Sequence, residues 1–262
     1  MAPAWGTPTS TLDWCEENYE VSWAIAEFWN TVSNLFMIIP ALYGVYQARK
    51  QGLEHRYVIV NYLFLLVGVG SWLFHMTLRW SMQLLDEIPM VWGTSYMNYC
   101  MHLVAFKPKE GSPKMAAALT LYNILFTLVY LIFRNPLIHE SMYGLLVVVM
   151  VYQSFYYLKT QYTREGTLLY ITGFVMYLTG FILWNIDNTS CASVISIRNS
   201  LPVILQPLLQ LHAWWHILAG YATYLMILYS EHQRLTYLKR EVTLSPSWCG
   251  LTVKHKRAGQ MG

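Results

Sequence analysis

Leu211-His212-Ala213-Trp214-Trp215-His216 sits inside an otherwise apolar run, Val203 to Tyr229. On a helix, His212 and His216 stand four residues apart and share one face, one turn above the other. Two imidazoles so placed can hold one metal ion, as the paired histidines of HExxH helices do, although the Glu of that motif is missing here. Histidine inside hydrocarbon is costly, so an intramembrane pair marks a functional site by default. Either histidine alone would be an ordinary packing group, and the rest of the chain has to decide.

Composition sets the surroundings of that pair. Of 262 residues, 55% are hydrophobic, 16% aromatic and only 12% charged. Soluble domains carry roughly 25% charged residues, so this is membrane composition. A net charge of +3, scattered along the chain, gives no nucleic-acid surface. The first twenty residues are polar and acidic, with neither the basic nor the apolar region of a cleavable signal peptide, so the first apolar span is expected to act as a signal-anchor. Four cysteines are too few for a disulfide scaffold.

Seven apolar stretches are long enough to cross hydrocarbon, which takes about 20 residues. They run over 24–46, 57–76, 84–106, 115–133, 142–158, 167–187 and 206–229. The expected fold is an all-α integral membrane bundle of seven transmembrane helices. It divides into an acidic N-terminal segment (1–23), the helical domain (24–230) and a basic tail (231–262). Lys and Arg set its orientation. Arg49, Lys50, Arg56, Lys107, Lys109, Lys114, Lys159, Arg164, Arg234, Lys239, Arg240, Lys254, Lys256 and Arg257 fall on one side, and only Arg79, Arg134 and Arg198 on the other. The N-terminus is therefore predicted to be lumenal and the C-terminus cytosolic.

In that frame separated polar residues fall at one depth, the lumenal end. They are Glu27 and Asn30 in the first span, Ser71 and His75 in the second, Asp86 and Glu87 in the third, Tyr143 in the fifth, Asn185 and Asp187 in the sixth, and the histidine pair in the seventh. Three neutral imidazoles with one open position make a catalytic zinc site, and His75, His212 and His216 can supply it. His55, His232 and His255 fall in cytosolic segments, His102 lies near the cytosolic end of the third span, and His139 is read as a loop residue beside Pro136. Asp86 can orient a metal-bound water and shuttle its proton. Ser71, one turn from His75, can donate to a developing oxyanion or simply bond back to its own helix. A site in the leaflet suits a substrate that never leaves the bilayer, and the reaction class is hydrolysis of a lipid amide or ester.

Six segments carry a family resemblance: Asp13–Tyr19, Ala26–Asn34, Gly70–Leu78, Gln83–Glu87, Leu183–Asn188 and Leu211–His216. In order and in register over residues 9–230, they resemble the alkaline ceramidases. The resemblance implies an intramembrane amidase of the endoplasmic reticulum and Golgi that cuts the N-acyl bond of ceramides to a sphingoid base and a fatty acid. Phytoceramide, dihydroceramide and unsaturated long-chain ceramides are the expected substrates, with the lipid bilayer as surroundings and no obligate protein partner. By matching positions it implies zinc on His75, His212 and His216, with Ser71 and Asp86 beside the metal water and Tyr143 and Trp215 in the substrate pocket.

It also implies a calcium site. Asp13, Glu16, Glu17, Glu20 and Glu27 put five carboxylates in fifteen residues, which alone reads either as hard oxygen ligands or as a solvated acidic segment. The family pattern assigns calcium to Asp13, Glu16, Asn18 and Glu27, with the carbonyl of Trp14. Cys15 and Cys191 both fall on the oxidising side, and a disulfide between them is expected, as the family also suggests. Asn188-Thr189-Ser190 is a formal sequon close to the membrane.

Seven helices with three zinc-binding histidines also resemble the adiponectin and progestin receptor family. Those receptors carry a long cytosolic N-terminal region and the opposite orientation. A transporter would need a polar path through the full thickness, whereas the polar residues here gather at one end.

Overall fold

The computed structural model describes residues 3–107 and 110–255; Lys109, Lys256 and Arg257 of the basic count lie outside them. Among the described residues the architecture is nearly all helical. The long elements are α2 (Leu35–Gln51), α3 (His55–Thr77), α4 (Trp80–His102), α5 (Pro113–Phe133), α6 (Pro136–Thr160), α7 (Arg164–Thr189) and α9 (Leu211–Tyr237). Two shorter helices join them, α1 (Phe28–Ser33) ahead of α2 and α8 (Cys191–Ser200) after α7.

Five segments are long and apolar enough to cross a membrane by length and composition: residues 28–51, α3, α5, α6 and α7. Helices α4 and α9, of 23 and 27 residues, are as long but carry buried polar side chains. On α5 and α6, large apolar side chains such as Ile132, Phe133, Val148 and Tyr152 face outward. That surface is tolerable when hydrocarbon rather than water surrounds it.

Local sequence explains the element ends. Pro113 and Pro136 open α5 and α6, where the missing N–H costs nothing. Helix α6 therefore starts six residues before the stretch expected at 142, and His139 lies in its first turn, buried, not in a loop. The Thr163 hydroxyl accepts the Gly166 N–H at 3.0 Å and caps α7.

The break between α1 and α2 was not legible as a break. There the Asn30 carbonyl accepts the Ser33 hydroxyl and the Asn34 side-chain N–H, both at 2.9 Å. Such side-chain bonds compete with the helical ladder.

Packing is dense toward the end of the bundle where α2 finishes and α3 begins. Tyr57, Cys100, Met101, Leu169, Tyr224 and Tyr229 form the fully buried core there. Tyr57 donates to the Ser230 carbonyl at 3.2 Å and Tyr229 to the Ser154 carbonyl at 2.7 Å, so the buried phenols are satisfied.

Helix α9 runs seven residues past the expected boundary at 230, to Tyr237. Glu231, His232, Gln233 and Arg234 are therefore buried in the bundle rather than solvated in the tail. Arg234 reaches Glu54 Oε1 at 2.6 Å and the Val104 carbonyl at 3.0 Å. The tail departs from the all-α expectation. β1 (Val242–Ser247) and β2 (Gly250–His255) pair as an antiparallel hairpin. Its Leu251 carbonyl accepts the Tyr224 hydroxyl at 2.8 Å, which docks the hairpin on α9.

Helices α3 and α4 approach most closely at Gly70, where an added Cβ would sit 2.0 Å from the backbone oxygen of Leu85. Backbone cannot yield as a flexible side chain can. Gly70→Ala is expected to destabilise the protein by about 1–3 kcal/mol. A thermal midpoint in detergent indistinguishable from wild type would show that the helices separate freely here.

Candidate metal centre

Three buried histidines meet at the end of the bundle opposite the dense core. His75 lies in the last turn of α3, and His212 and His216 in the first two turns of α9. Their ligand nitrogens all lie within 4.8 Å of one another, and the rings are 1%, 4% and 3% exposed. Ring centroids are separated by 5.0, 4.7 and 4.6 Å. Among the described residues they are the group of His, Cys, Asp and Glu side chains that converges tightly enough to hold a metal.

A metal-ligating imidazole must give one nitrogen to the ion and satisfy the other elsewhere. His75 Nδ1 is 2.5 Å from Glu27 Oε2, leaving Nε2 free. His216 Nδ1 meets the Asn30 carbonyl at 3.0 Å and the Ser33 hydroxyl at 2.9 Å. These acceptors come from α1, at Asn30 and its last residue Ser33, and from Glu27 just before it. His212 is held differently, stacked on the Trp14 indole at a centroid distance of 3.8 Å, with Nδ1 buried and unpartnered. The donor set therefore fits a divalent metal: three neutral imidazoles, two of them oriented by acceptors behind the ring.

Ser71 and Asp86 are both buried beside this group, and the Ser71 hydroxyl is within hydrogen-bonding reach of the Asp86 carboxylate. They line, with all three histidines, a cavity of about 620 Å³. Tyr143 and Trp215 line it too. The Tyr177 hydroxyl donates to that of Tyr143 at 3.1 Å, and Trp215 packs edge-on against Tyr177. Away from the histidines the walls are apolar, among them Val60, Phe64, Met97, Val147 and Val151. The volume is in the range of small-molecule and lipid pockets.

The acidic N-terminal segment is folded against this end. Glu27 is fully buried, and Glu16 is 5% exposed. Both oxygens of Glu16 accept backbone N–H groups at the start of α1, from Trp29 at 2.7 Å and Asn30 at 2.8 Å. Burial nevertheless pushes the Glu16 carboxyl up to about 7, against the opposing pull of those two bonds. The Asn18 amide donates to Asp13 Oδ1 at 3.3 Å while its own oxygen is buried without a partner, and the Trp14 N–H donates to Glu27 Oε1 at 3.4 Å. The charge of Asp13 reaches Glu27. Asp13, Trp14, Glu16, Asn18 and Glu27 thus occupy one neighbourhood, although their carboxylates do not converge as tightly as the imidazoles. Calcium bonds of 2.3–2.6 Å put opposite ligands about 5 Å apart, so a looser array suits that ion.

Three ties hold the segment in place. Cys15 and Cys191 form a disulfide, with Cα atoms 5.3 Å apart. The Cys15 N–H donates to Asp187 Oδ2 at 3.1 Å. Arg198 of α8, 3% exposed, donates to the Cys15 carbonyl at 3.0 Å and to Gln210 Oε1 at 2.8 Å. Asn30, Ser33 and Arg198 were not singled out as site residues from sequence. Asn30 and Ser33 are spaced i, i+3 and share a helix face, which was the available signal.

A family model described as Ceramidase matches residues 6–254. The chain is 46% identical over 246 residues to alkaline ceramidase 3 of Mus musculus, covering 91% of each chain. It is 35% identical over 262 residues to an alkaline ceramidase of Saccharomyces cerevisiae, covering 89% of this chain and 79% of the relative. It is 32% identical over 225 residues to an alkaline ceramidase of Arabidopsis thaliana, covering 84% and 82%.

Removing the charge behind His75, while keeping an acceptor oxygen there, tests whether the carboxylate tunes the metal ligand. Glu27→Gln is expected to lower divalent-metal affinity by about 10- to 100-fold, read by competition with a chromogenic chelator. An unchanged affinity would mean that the negative charge of Glu27 does not tune the histidine.

Proposed function

Because this chain belongs to the ceramidase family, and is accordingly a multi-pass membrane hydrolase of ceramide, we propose that it is a zinc-dependent intramembrane amidase. The observation that carries the reading is the buried three-histidine group opening, with Asp86 and Ser71, onto an apolar cavity. The same helix count and histidine set would suit a receptor, a reading that family membership displaces.

His75, His212 and His216 would hold the zinc. When bound there, the ion supplies Lewis acidity toward the amide carbonyl and lowers the pKa of water to about 7. The protein's own groups divide the remaining work. Asp86 accepts the proton of the attacking water and then delivers it to the amide nitrogen, so that the C–N bond breaks with a neutral amine as leaving group. Ser71 donates to the carbonyl oxygen as that atom gains charge. Tyr143 and Trp215 shape the wall beside the reacting amide, and the apolar walls keep both hydrocarbon chains out of water. The products are a sphingoid base and a free fatty acid. Phytoceramide, dihydroceramide and unsaturated long-chain ceramides are the substrates that fit this reading.

The proposed arrangement is seven spans, with α4 and α9 joining the five apolar segments, and the N-terminus lumenal. The support is the gathering of Lys and Arg at the opposite end from the histidines. The domains follow as the acidic lumenal segment, the helical hydrolase domain and the cytosolic tail, in membranes of the endoplasmic reticulum and Golgi.

Sphingoid-base release by purified protein tests the zinc reading directly. Chelation is expected to abolish it and added zinc to restore it, while His216→Ala stays inactive in both conditions. Asp86→Asn is expected to keep its metal and lose about 10²- to 10⁴-fold in kcat. Full turnover by the chelated, metal-free protein would end the proposal.

A second ion completes it. We place Ca²⁺ among Asp13, the Trp14 carbonyl, Glu16, Asn18 and Glu27, where the exposed carboxylate of Asp13, the buried ones of Glu16 and Glu27 and the unpartnered Asn18 oxygen offer hard donors. Calcium is expected to raise the thermal midpoint of the wild type and not that of Asn18→Ala. Equal shifts in both proteins would remove calcium from this site.

A further inference from the structure

The cavity that takes in the three histidines is far longer than an amide needs, and its other end has no part in the chemistry above. Its lining runs from His212 to Ile227 along α9, from Asn185 to Tyr170 along α7 and from His75 to Val60 along α3. Each of these stretches climbs fifteen residues, or about 22 Å at a rise of about 1.5 Å per residue. Along α4 the lining runs from Asp86 to Met97, about 16 Å. Four helices thus describe one shaft leading from the histidine group to the dense core.

The floor of the shaft is hard. Val60, Met97, Tyr170 and Ile227 are all buried there. Just beyond them on the same helices come Tyr57, Cys100, Leu169 and Tyr229, which belong to the fully buried core and do not line the cavity. Tyr229 packs on Tyr170 at a centroid distance of 5.6 Å, and its hydroxyl is held by the Ser154 carbonyl. Close-packed side chains of this kind transmit strain rather than absorb it, so the floor does not recede before a longer ligand.

The flank is open instead. Val148 of α6 and Phe174, Leu178 and Phe181 of α7 line the cavity and are also exposed on the outer surface, Val148 by 65%. The cavity therefore meets the surrounding hydrocarbon between α6 and α7.

Volume decides how much of a two-chain lipid enters. An apolar cavity of about 150 Å³ takes benzene, roughly 25 Å³ per carbon, so about 620 Å³ takes roughly 25 carbons. That is room for the head and one long chain, not for two long chains side by side. Length agrees. Extended carbons advance about 1.2 Å per bond, as the three backbone bonds of an extended residue do over about 3.6 Å, so a 22 Å shaft ends near about 18 bonds.

We propose that the shaft takes one hydrocarbon chain of the substrate, and that Met97, Tyr170 and Ile227 on its floor are specificity-determining residues that set the longest chain accepted. The inference rests on the ceramide-amidase reading and deepens it. The second chain leaves between α6 and α7 and lies in lipid along the outer faces of the same wall residues. Because lipid tails are as apolar as the wall, moving a chain from one to the other gains little, and length is read only where the shaft stops.

The test measures kcat/KM in mixed micelles for two series of ceramides. One varies the N-acyl chain over about 8 to 24 carbons on a fixed base, and the other varies the base over the same range on a fixed acyl chain. Proteins compared are the wild type, Ile227→Trp, Met97→Phe and Ile227→Ala, each with its thermal midpoint. Wild type is expected to break in one series only, near about 18 carbons, losing about 10-fold or more for the first methylenes beyond it. The series that breaks names the chain the shaft holds. Ile227→Trp and Met97→Phe are expected to move the break to chains about two carbons shorter, and Ile227→Ala to longer ones.

A floor that was merely structural would lower every rate together and leave the break where it was. That outcome in the variants would overturn the proposal. So would a wild-type profile flat in both series, or one breaking in both, and neither of these needs a variant to fold. Chelation-sensitive ceramide cleavage by the wild type would survive any of these results, so the two readings fail separately.

Discussion

Two of the three imidazoles buried together in this apolar bundle find an acceptor for the nitrogen turned away from the other rings, and that pairing organises this end of the molecule. Glu27 answers His75, while the Asn30 carbonyl and the Ser33 hydroxyl answer His216. A helical carbonyl diverted in this way cannot serve its own ladder alone. The chain responds by stopping α1 at Ser33 and restarting as α2 at Leu35, with Ser33 and Asn34 both turned back onto the Asn30 oxygen. The discontinuity between α1 and α2 thus goes with the orienting of a buried histidine on α9.

The acidic segment is the second consequence. Trp14 roofs His212, and Glu16 caps α1, so residues 13–27 form one wall of the site. An isolated segment of that length would not stay ordered against the conformational entropy it loses. It is held at one end by the disulfide, Asp187 and Arg198, and at the other by the Thr11 bond to Gln83. Helix α8 has little apolar character of its own; its contribution is to bring Cys191 and Arg198 to that junction.

Much of this was legible in residues 211–216 and in the apolar pattern. Each of the seven expected stretches overlaps a long helix, because lengths near 20 residues and charges between them are strong signals. The three histidines, Ser71 and Asp86 were placed together by depth, by helical spacing and by the family resemblance, and they line one cavity. What depth could not convey was rotation about each helix. Asn30 and Glu87 were visible only as polar residues at a helix end and Ser33 not at all, and their partners depend on which way each helix is turned. Arg198 was counted as a topological charge, yet it is buried and spends its donors inside the fold. His139 was set aside because Pro136 read as a breaker, whereas proline in a first turn starts a helix. The terminal hairpin had no strong alternating pattern, and its order comes from docking on α2 and α9 rather than from its own sequence.

Glu27 has two oxygens with two addresses, one on His75 and the other on the backbone of Trp14. A cation drawing charge from one oxygen changes what the other can offer the imidazole. With both of the proposed ions bound, their occupancies would be linked through this single side chain, and linkage is reciprocal: whatever factor one ion imposed on the affinity of the other, it would receive in return. The ion concentration around the acidic segment would then act on the buried histidine group without any moving part.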